Sequence, residues 1–383
     1  MKRSGRRILT THAGSLPRPT DLLELMQRAP RDEHAWQARV HAAVVEAVRR
    51  QGETGLDVVT DGEMSKPSFI TYVADRLTGF EPSREPGALP WADSKEVAAF
   101  PEFYEPSVRQ SPNAAATRYC CTGPIAYRGQ AQVQRDIDNL RAALSGLAVE
   151  EAFIPAIAPS NVEGRQANLH YKTDEDYLFA IAEAMRAEYA AIVDAGFLLQ
   201  IDDPRLVTYY ILRRDSTVEE CRRWAAVRVE ALNHALRDIP RDRVRFHTCY
   251  SINMGPRVHD MALKDVVDLI LRVKAGAYSF EAANPRHEHE WRVWQDVKLP
   301  DDAVLIPGVI TQSTVLVEHP ELVAERIARF ASVVGRERVI AGADCGFASF
   351  AGSTEIHATI VWAKLAALVE GARLATTQLW SKA

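Results

Sequence analysis

Several features are scarce in this sequence, and each shortage removes a class of protein. There are five cysteines in 383 residues, at 120, 121, 221, 249 and 345. That is too few and too scattered for a disulfide scaffold, and it suits a reducing compartment. Basic residues are not in excess: the formal net charge of -5 leaves no electrostatic footprint for nucleic acid. No apolar run approaches the roughly 18 residues of a membrane span. The basic start, Met1 to Arg7, is followed by no apolar signal core. A cytoplasmic protein with no membrane partner is expected. A glycine-rich phosphate loop after the first strand-like run is also missing, which weakens the alternative of an open, doubly wound sheet.

What is present reads as one folded unit. Hydrophobic residues make up 47% and charged residues 25%, the balance of a globular chain rather than a disordered one. Strand-like and helix-like runs alternate: strands near 8–15, 56–63, 152–158, 198–203, 244–250, 277–282, 303–309 and 338–344. Helices are expected over 20–28, 33–52, 67–77, 174–195, 216–237, 262–273, 287–296, 320–334 and 354–371. Such alternation implies a parallel sheet with helical crossovers. The expected fold is therefore α/β, a (β/α)8 TIM barrel over residues 1–383. An inserted hairpin or lid over 80–123 takes up the Pro-rich, aromatic stretch 80–116 and the ninth strand-like run, 117–123.

In such a barrel, chemistry gathers at the C-terminal strand ends. Here those ends carry His12 and Ser15; Asp61 and Glu63; Ser160 and Asn161; Asp202 and Asp203; His247 and Cys249; Glu281 and Asn284; Gln312 and Ser313; Asp344 and Cys345. A single Asp there is often a helix cap, but capping does not explain a polar residue at every end. Side chains alternate along a strand, so His247 and Cys249 point the same way. A lone His-x-Cys is ordinarily core packing. With Glu281 and Cys345 closing later runs on the same side, it becomes a soft donor set suited to zinc. His287 and His289 read as a solvated helix start, and His319 as a structural helix start.

His247-x-Cys249, Glu281 and Asp344-Cys345-Gly346, together with Gly14-Ser15-Leu16-Pro17, Asp61-Gly62-Glu63 and Gln200-Ile201-Asp202-Asp203-Pro204, resemble the catalytic barrel of cobalamin-independent methionine synthases. The resemblance runs from about residue 8 to 372. It is to a single-barrel branch that includes the epoxyalkane:coenzyme M transferases, since the chain has no room for the second barrel of the large synthases. It implies zinc held by His247, Cys249, Glu281 and Cys345, and an acceptor's acidic group held by Gly14 and Ser15. Glu63 and Asp202 would face the acceptor's amine or the donor, and His12, Asn161 and Ser313 join the substrate-binding candidates. Asp202, Asp203 and Glu63 are the candidate catalytic carboxyls. The partners implied are a small-molecule thiol and an alkyl donor, and oligomeric state is left open. The family's Asp and His after the seventh strand are missing from Pro307 to Thr314, and its Trp beside the folate is missing from Ile157 to Asn161. Four functions stay open: methyl or alkyl transfer to a zinc-bound thiolate, epoxide opening by a thiol, a uroporphyrinogen-type decarboxylase, and a non-catalytic binding module. The third has no use for the two cysteines, and the fourth none for the polar strand ends.

Overall fold

The computed structural model describes residues 1–28, 30, 32–83, 91–104, 119–250, 255–353 and 355–381. Eight strands form one parallel sheet: β1 (Leu9–Thr10), β2 (Val58–Thr60), β3 (Glu151–Ile157), β4 (Leu198–Asp202), β5 (Val244–His247), β6 (Ala277–Phe280), β7 (Val304–Ile310) and β8 (Ile340–Ala343). The order runs β1-β8-β7-β6-β5-β4-β3-β2, so each strand but the outer two lies between neighbours on both sides. The two outer strands meet through side chains and one backbone hydrogen bond. Asp57 Oδ2 accepts from the Thr10 N–H at 2.8 Å and from Thr10 Oγ1 at 3.0 Å. The Asp57 N–H donates to Thr10 O at 3.1 Å, and Thr11 Oγ1 donates to Val58 O at 3.0 Å. The result is a barrel, as the alternation predicted.

The helices wrap the barrel and bury their apolar stripes against its outer face, the main core of the molecule. Glu33–Thr54 shows why a helix forms and stops: Asp32 caps it by accepting from the His34 and Ala35 N–H groups, and Gly55 ends it at φ 95°, a conformation that suits glycine. The barrel's lower interior is apolar, built from Leu9, Val58, Phe153, Leu198, Ala277, Val304, Ile306 and Ile340, with Met1 packed against both halves. Above that layer the interior turns polar. Arg245, 1% exposed, donates to Thr11 Oγ1 at 3.1 Å and His12 O at 3.2 Å. Gln200 Nε2 donates to Ala13 O at 2.5 Å. These bonds tie the chain after β1 across the barrel, to strands that carry the site.

Several expected elements differ. Residues 67–77 form a turn and a 3-10 helix, Thr71–Asp75, rather than an α-helix. Ser68 bridges to Phe350, which holds the start of the segment extended. A helix at Gln130–Ala143 was missed because its buried Val133, Ile137 and Leu140 are thinly spread among polar residues. The segments 262–273 and 287–296 are short 3-10 turns followed by four-residue helices. The last helix spans Ala358–Trp380, longer than its apolar pattern suggested. Within the inserted segment, Phe80–Pro82 pairs antiparallel with Tyr119–Cys121, which pairs in turn with Ala167–Asn168, and Lys95–Ala99 is helical. The rest of that expected lid, 84–90 and 105–118, lies outside the described residues.

Candidate metal centre

The strand β5 ends on His247, and the chain stays extended enough to bring Cys249 to the same side; both are 3% exposed. Cys345, two residues past β8, meets them, with Cys249 Sγ and Cys345 Sγ 3.0 Å apart. The donor atoms of His247, Cys249 and Cys345 lie within 4.8 Å of one another. In tetrahedral zinc, bonds of about 2.0–2.3 Å place donor atoms about 3.3–3.8 Å apart, so the trio fits a metal after the donors draw in by about 1 Å. Ser279 Oγ holds His247 Nδ1 at 3.1 Å, the kind of outer contact that fixes a ligating imidazole with its other nitrogen, Nε2, inward. The Cys345 thiol is pushed well above its usual range by its hydrogen bond with Cys249 and then by burial. Two thiols in contact resist ionisation unless a cation takes the charge.

Glu281, the fourth expected donor, is not in that trio. Its Oε1 accepts from the Tyr250 N–H at 2.7 Å, and its Oε2 from Arg257 Nη2 at 2.8 Å and Asn284 Nδ2 at 2.5 Å. Burial raises its pKa, and Arg257 opposes that rise. The turn that carries it is set by Asp344, whose oxygens accept from the N–H groups of Ala282, Ala283 and Asn284 at 2.7, 2.8 and 2.9 Å. Asp344 has room because Gly308 faces it; a Cβ there would lie 2.0 Å from Asp344 Oδ1.

A cavity opens over the trio, lined by Ala13, Ser15, Glu63, Phe69, Asp202, Pro204, His247, Cys249, Cys345, Gly346, Ser349 and Phe350. Gly14 takes φ 136° and Glu63 φ 57°, the latter a costly conformation for a side-chain-bearing residue. Such strain concentrates at functional positions. Glu63 Oε2 is buried with no hydrogen-bond partner. Burial pushes the Glu63 carboxyl up, against Lys66 and Arg18. Asp202 accepts from Gln200 Nε2 at 2.8 Å and is pushed up to about 7 by burial, with His247 opposing and Glu63 adding. Phe69 and Phe350 meet edge to face at 6.1 Å and wall the mouth.

Other expected site residues fall behind this lining. His12 is 1% exposed, bonded through Nε2 to Gln51 Oε1 at 2.9 Å and through Nδ1 to the Gly14 N–H at 3.2 Å; burial lowers its pKa to about 4. It shapes the Gly14 turn. Asp203 Oδ1 accepts from Ser160 Oγ, Asn161 Nδ2 and the Leu206 N–H at 2.6, 2.9 and 3.2 Å, so Asp203 and Asn161 brace the start of the helix Arg205–Ile211. Ser313 Oγ accepts from Arg257 Nη1 at 3.3 Å. His287 is not solvated: it is 2% exposed, its nitrogens 2.8 and 3.0 Å from Glu290 and Asp260. The expectation failed because the carboxylates that bury it lie on either side in sequence, Asp260 far upstream. The sequence reading also missed Phe69, Phe350 and Arg257. An isolated aromatic or arginine in an irregular segment carries no periodic signal.

A parallel barrel whose C-terminal mouth gathers two cysteines and a histidine beside buried carboxyls defines a class: a (β/α)8 barrel with a soft donor set able to hold a metal ion. The chain matches the family model for the catalytic domain of cobalamin-independent synthase over residues 8–128 and 164–372, and it belongs to that family. It is similar to a methionine synthase of Thermococcus kodakarensis, 24% identical over 378 residues, covering 97% of this chain and 94% of the relative. A methionine synthase of Sulfolobus acidocaldarius is 26% identical over 342 residues, covering 88% and 85%. Among solved structures, the B12-independent methionine synthase from Shewanella sp. W3-18-1, in complex with selenomethionine, aligns with TM-score 0.77 at 19% identity, covering 98% of this chain and 99% of that one. That likeness carries the fold.

Proposed function

We propose that this protein is a zinc-dependent S-alkyltransferase of the methionine-synthase type, which places a methyl or other alkyl group on a homocysteine-like thiol. The observation that supports it most is the meeting of Cys249, Cys345 and His247 on the floor of a cavity whose walls carry Ser15, Glu63 and Asp202. His247, Cys249 and Cys345 would hold the zinc, with Glu281 the adjacent fourth donor. Bound zinc there lowers the pKa of an incoming thiol and keeps it nucleophilic. The rest falls to the chain's own residues. The Gly14–Ser15 turn offers an N–H and a hydroxyl to the acceptor's carboxylate. Glu63, with a buried oxygen lacking a partner, and Asp202 receive its amine. Phe69 and Phe350 keep water from the thiolate. The leaving group needs a proton, and Asp202, pushed up to about 7 by burial, is a carboxyl at the cavity able to hold one, as is Glu63, which burial also pushes up. Asp203 is engaged as an acceptor and does not line the cavity.

The relatives named above are methionine synthases, which favours methyl transfer over epoxide opening. The donor is a separate matter. After β7, the Thr311 N–H is bonded to Glu318 Oε1 at 2.8 Å and Lys364 holds Glu318 Oε2 at 2.9 Å. No Asp or His stands at Pro307–Thr314 to protonate a folate nitrogen. Hydroxyls such as Thr311 and Ser313 do not replace them as acids near neutral pH. The zinc-loaded protein, offered several thiols and alkyl donors and read by mass spectrometry, is expected to alkylate a thiol while giving little or no methionine from methyltetrahydrofolate and homocysteine. Robust methionine formation, or rescue of a methionine auxotroph, overturns the donor reading. No thiol alkylation with any donor overturns the function.

A further inference from the structure

Arg257 occupies a demanding position. Its backbone lies in the left-handed region, φ 57°, where residues bearing a Cβ are uncommon, and its side chain is 5% exposed. The guanidinium forks between two carboxylates, Nη2 to Glu281 Oε2 at 2.8 Å and Nε to Asp260 Oδ2 at 2.9 Å, and its third contact is Ser313 Oγ. The same Asp260 oxygen is also bonded by His287 Nε2 at 3.0 Å, and His287 is held by Glu290. The cation therefore cannot swing away from Glu281 without breaking a second buried ion pair.

Glu281 thus has three donors on its two oxygens before any metal is counted, one of them a fixed cation. Negative charge shared with a guanidinium is withdrawn from any other partner of the same carboxylate. The structure also gives Glu281 somewhere to remain if it leaves a metal, since each of those three bonds is already made. We propose that Arg257 is the positioning residue that makes Glu281 an exchangeable ligand: it weakens the carboxylate's hold on the metal and keeps it in place when a substrate thiolate takes that position. In this exchange one carboxylate leaves and one thiolate arrives. The charge at the centre is unchanged, and the thiol proton passes to solvent. Arg257 also reaches Ser313 at the end of β7, so one side chain ties the ligand turn after β6 to the far wall of the site. This inference rests on the zinc reading above and adds to it the residue that sets ligand exchange.

The test uses the full-length zinc protein, with Arg257→Met to remove the cation and Asp260→Asn to remove its second anchor. Zinc affinity is measured by chelator competition, and the sulfur count at zinc by X-ray absorption during titration with homocysteine. Wild type is expected to change from two sulfurs to three. Arg257→Met should bind zinc about tenfold more tightly and need about tenfold more homocysteine for that change, the scale at which outer contacts alter metal sites. Asp260→Asn releases Arg257 onto Glu281 alone, so both measures should move the opposite way. A purely structural role would loosen zinc in both variants, and that result, or no change in either, overturns the proposal. If Arg257→Met does not fold, the homocysteine titration of Asp260→Asn decides: a lower requirement supports the proposal, and an unchanged or higher one overturns it. Wild type that takes up no zinc would instead sink the zinc reading itself.

Discussion

The two sulfurs 3.0 Å apart are the most consequential pair of atoms in the molecule. Removing either takes one donor from a three-membered soft set, so Cys249→Ser and Cys345→Ser should each lose most of the roughly one zinc per chain expected of wild type. Elemental analysis showing full zinc in both variants would refute the assignment. These residues were legible because strand alternation and strand ends are written into the sequence: His247 and Cys249 two apart, Cys345 closing the last run. Arg257 was not, since its meaning depends on Asp260, Glu281 and Ser313, which arrive from three strand ends. Asp203 was read as a possible acid because its position at a strand end looks like that of Asp202. Ser160 and Asn161 turn it into a brace, a distinction invisible without the third dimension.

Among the elements, the inserted segment was expected from its irregular, aromatic stretch, and its described helix packs beside the site's ligand loop. Its described helix, Lys95–Ala99, is pinned at its N-terminal end. Lys95 Nζ donates to Arg214 O at 2.7 Å and to Ser216 O at 2.8 Å. Buried Glu96 accepts from the His259 N–H at 2.7 Å. His259 belongs to the same loop as Arg257, so the segment leans on the loop that holds Glu281. The aromatics Phe80, Trp91, Phe100, Phe103 and Tyr104 are absent from the cavity lining, which moves the idea of a roof from direct contact to support of that loop. Replacing 84–116 with a short linker is therefore expected to raise the thiol concentration needed for half-maximal rate several-fold while leaving zinc content near one per chain. Unchanged turnover after the deletion would end the lid idea. The barrel strands were legible from their β-branched runs. The short 3-10 turns were not, because three to five residues show no period.

For the molecule as a whole, the buried chain Arg257–Asp260–His287–Glu290 makes stability depend on pH. Burial alone would lower the His287 pKa, but its bonds to Asp260 and Glu290 more than offset that and raise it from 6.5 to about 9. Below about 6.5 the ring is charged whether the chain is folded or not, and its contribution is fully present. Between about 6.5 and 9 only the folded state keeps the proton, so the contribution shrinks as pH rises and is gone above that window. The loss is about 3 kcal/mol at most. Denaturant midpoints measured at pH 6 and pH 9.5 should fall across that range in wild type and much less in His287→Gln. Equal pH slopes in the two proteins would mean that the ring is neutral when folded.

The seam between β1 and β2 has a further consequence. Seven of the eight strand junctions are backbone ladders, and the eighth has one backbone hydrogen bond, from the Asp57 N–H to Thr10 O, and otherwise depends on the Asp57 carboxylate, Thr10 and Thr11. Mechanically the barrel is a split ring rather than a hoop. The cavity residues that face the acceptor, Ser15 and Glu63, follow β1 and β2 and hang from the two lips of the split. The sulfur and imidazole donors follow β5 and β8, which have ladders on both sides. The half of the cavity at the seam, where Leu16 N–H donates to Gly62 O at 3.1 Å and Arg18 Nη2 to Glu63 O at 2.8 Å, is therefore expected to open more readily than the half held by ladders on both sides. Native-state hydrogen exchange should register the difference, with the amides of Thr10 and Asp57 opening faster than those of Phe246 and Tyr278; uniform protection around the barrel would mean that the lips are welded shut.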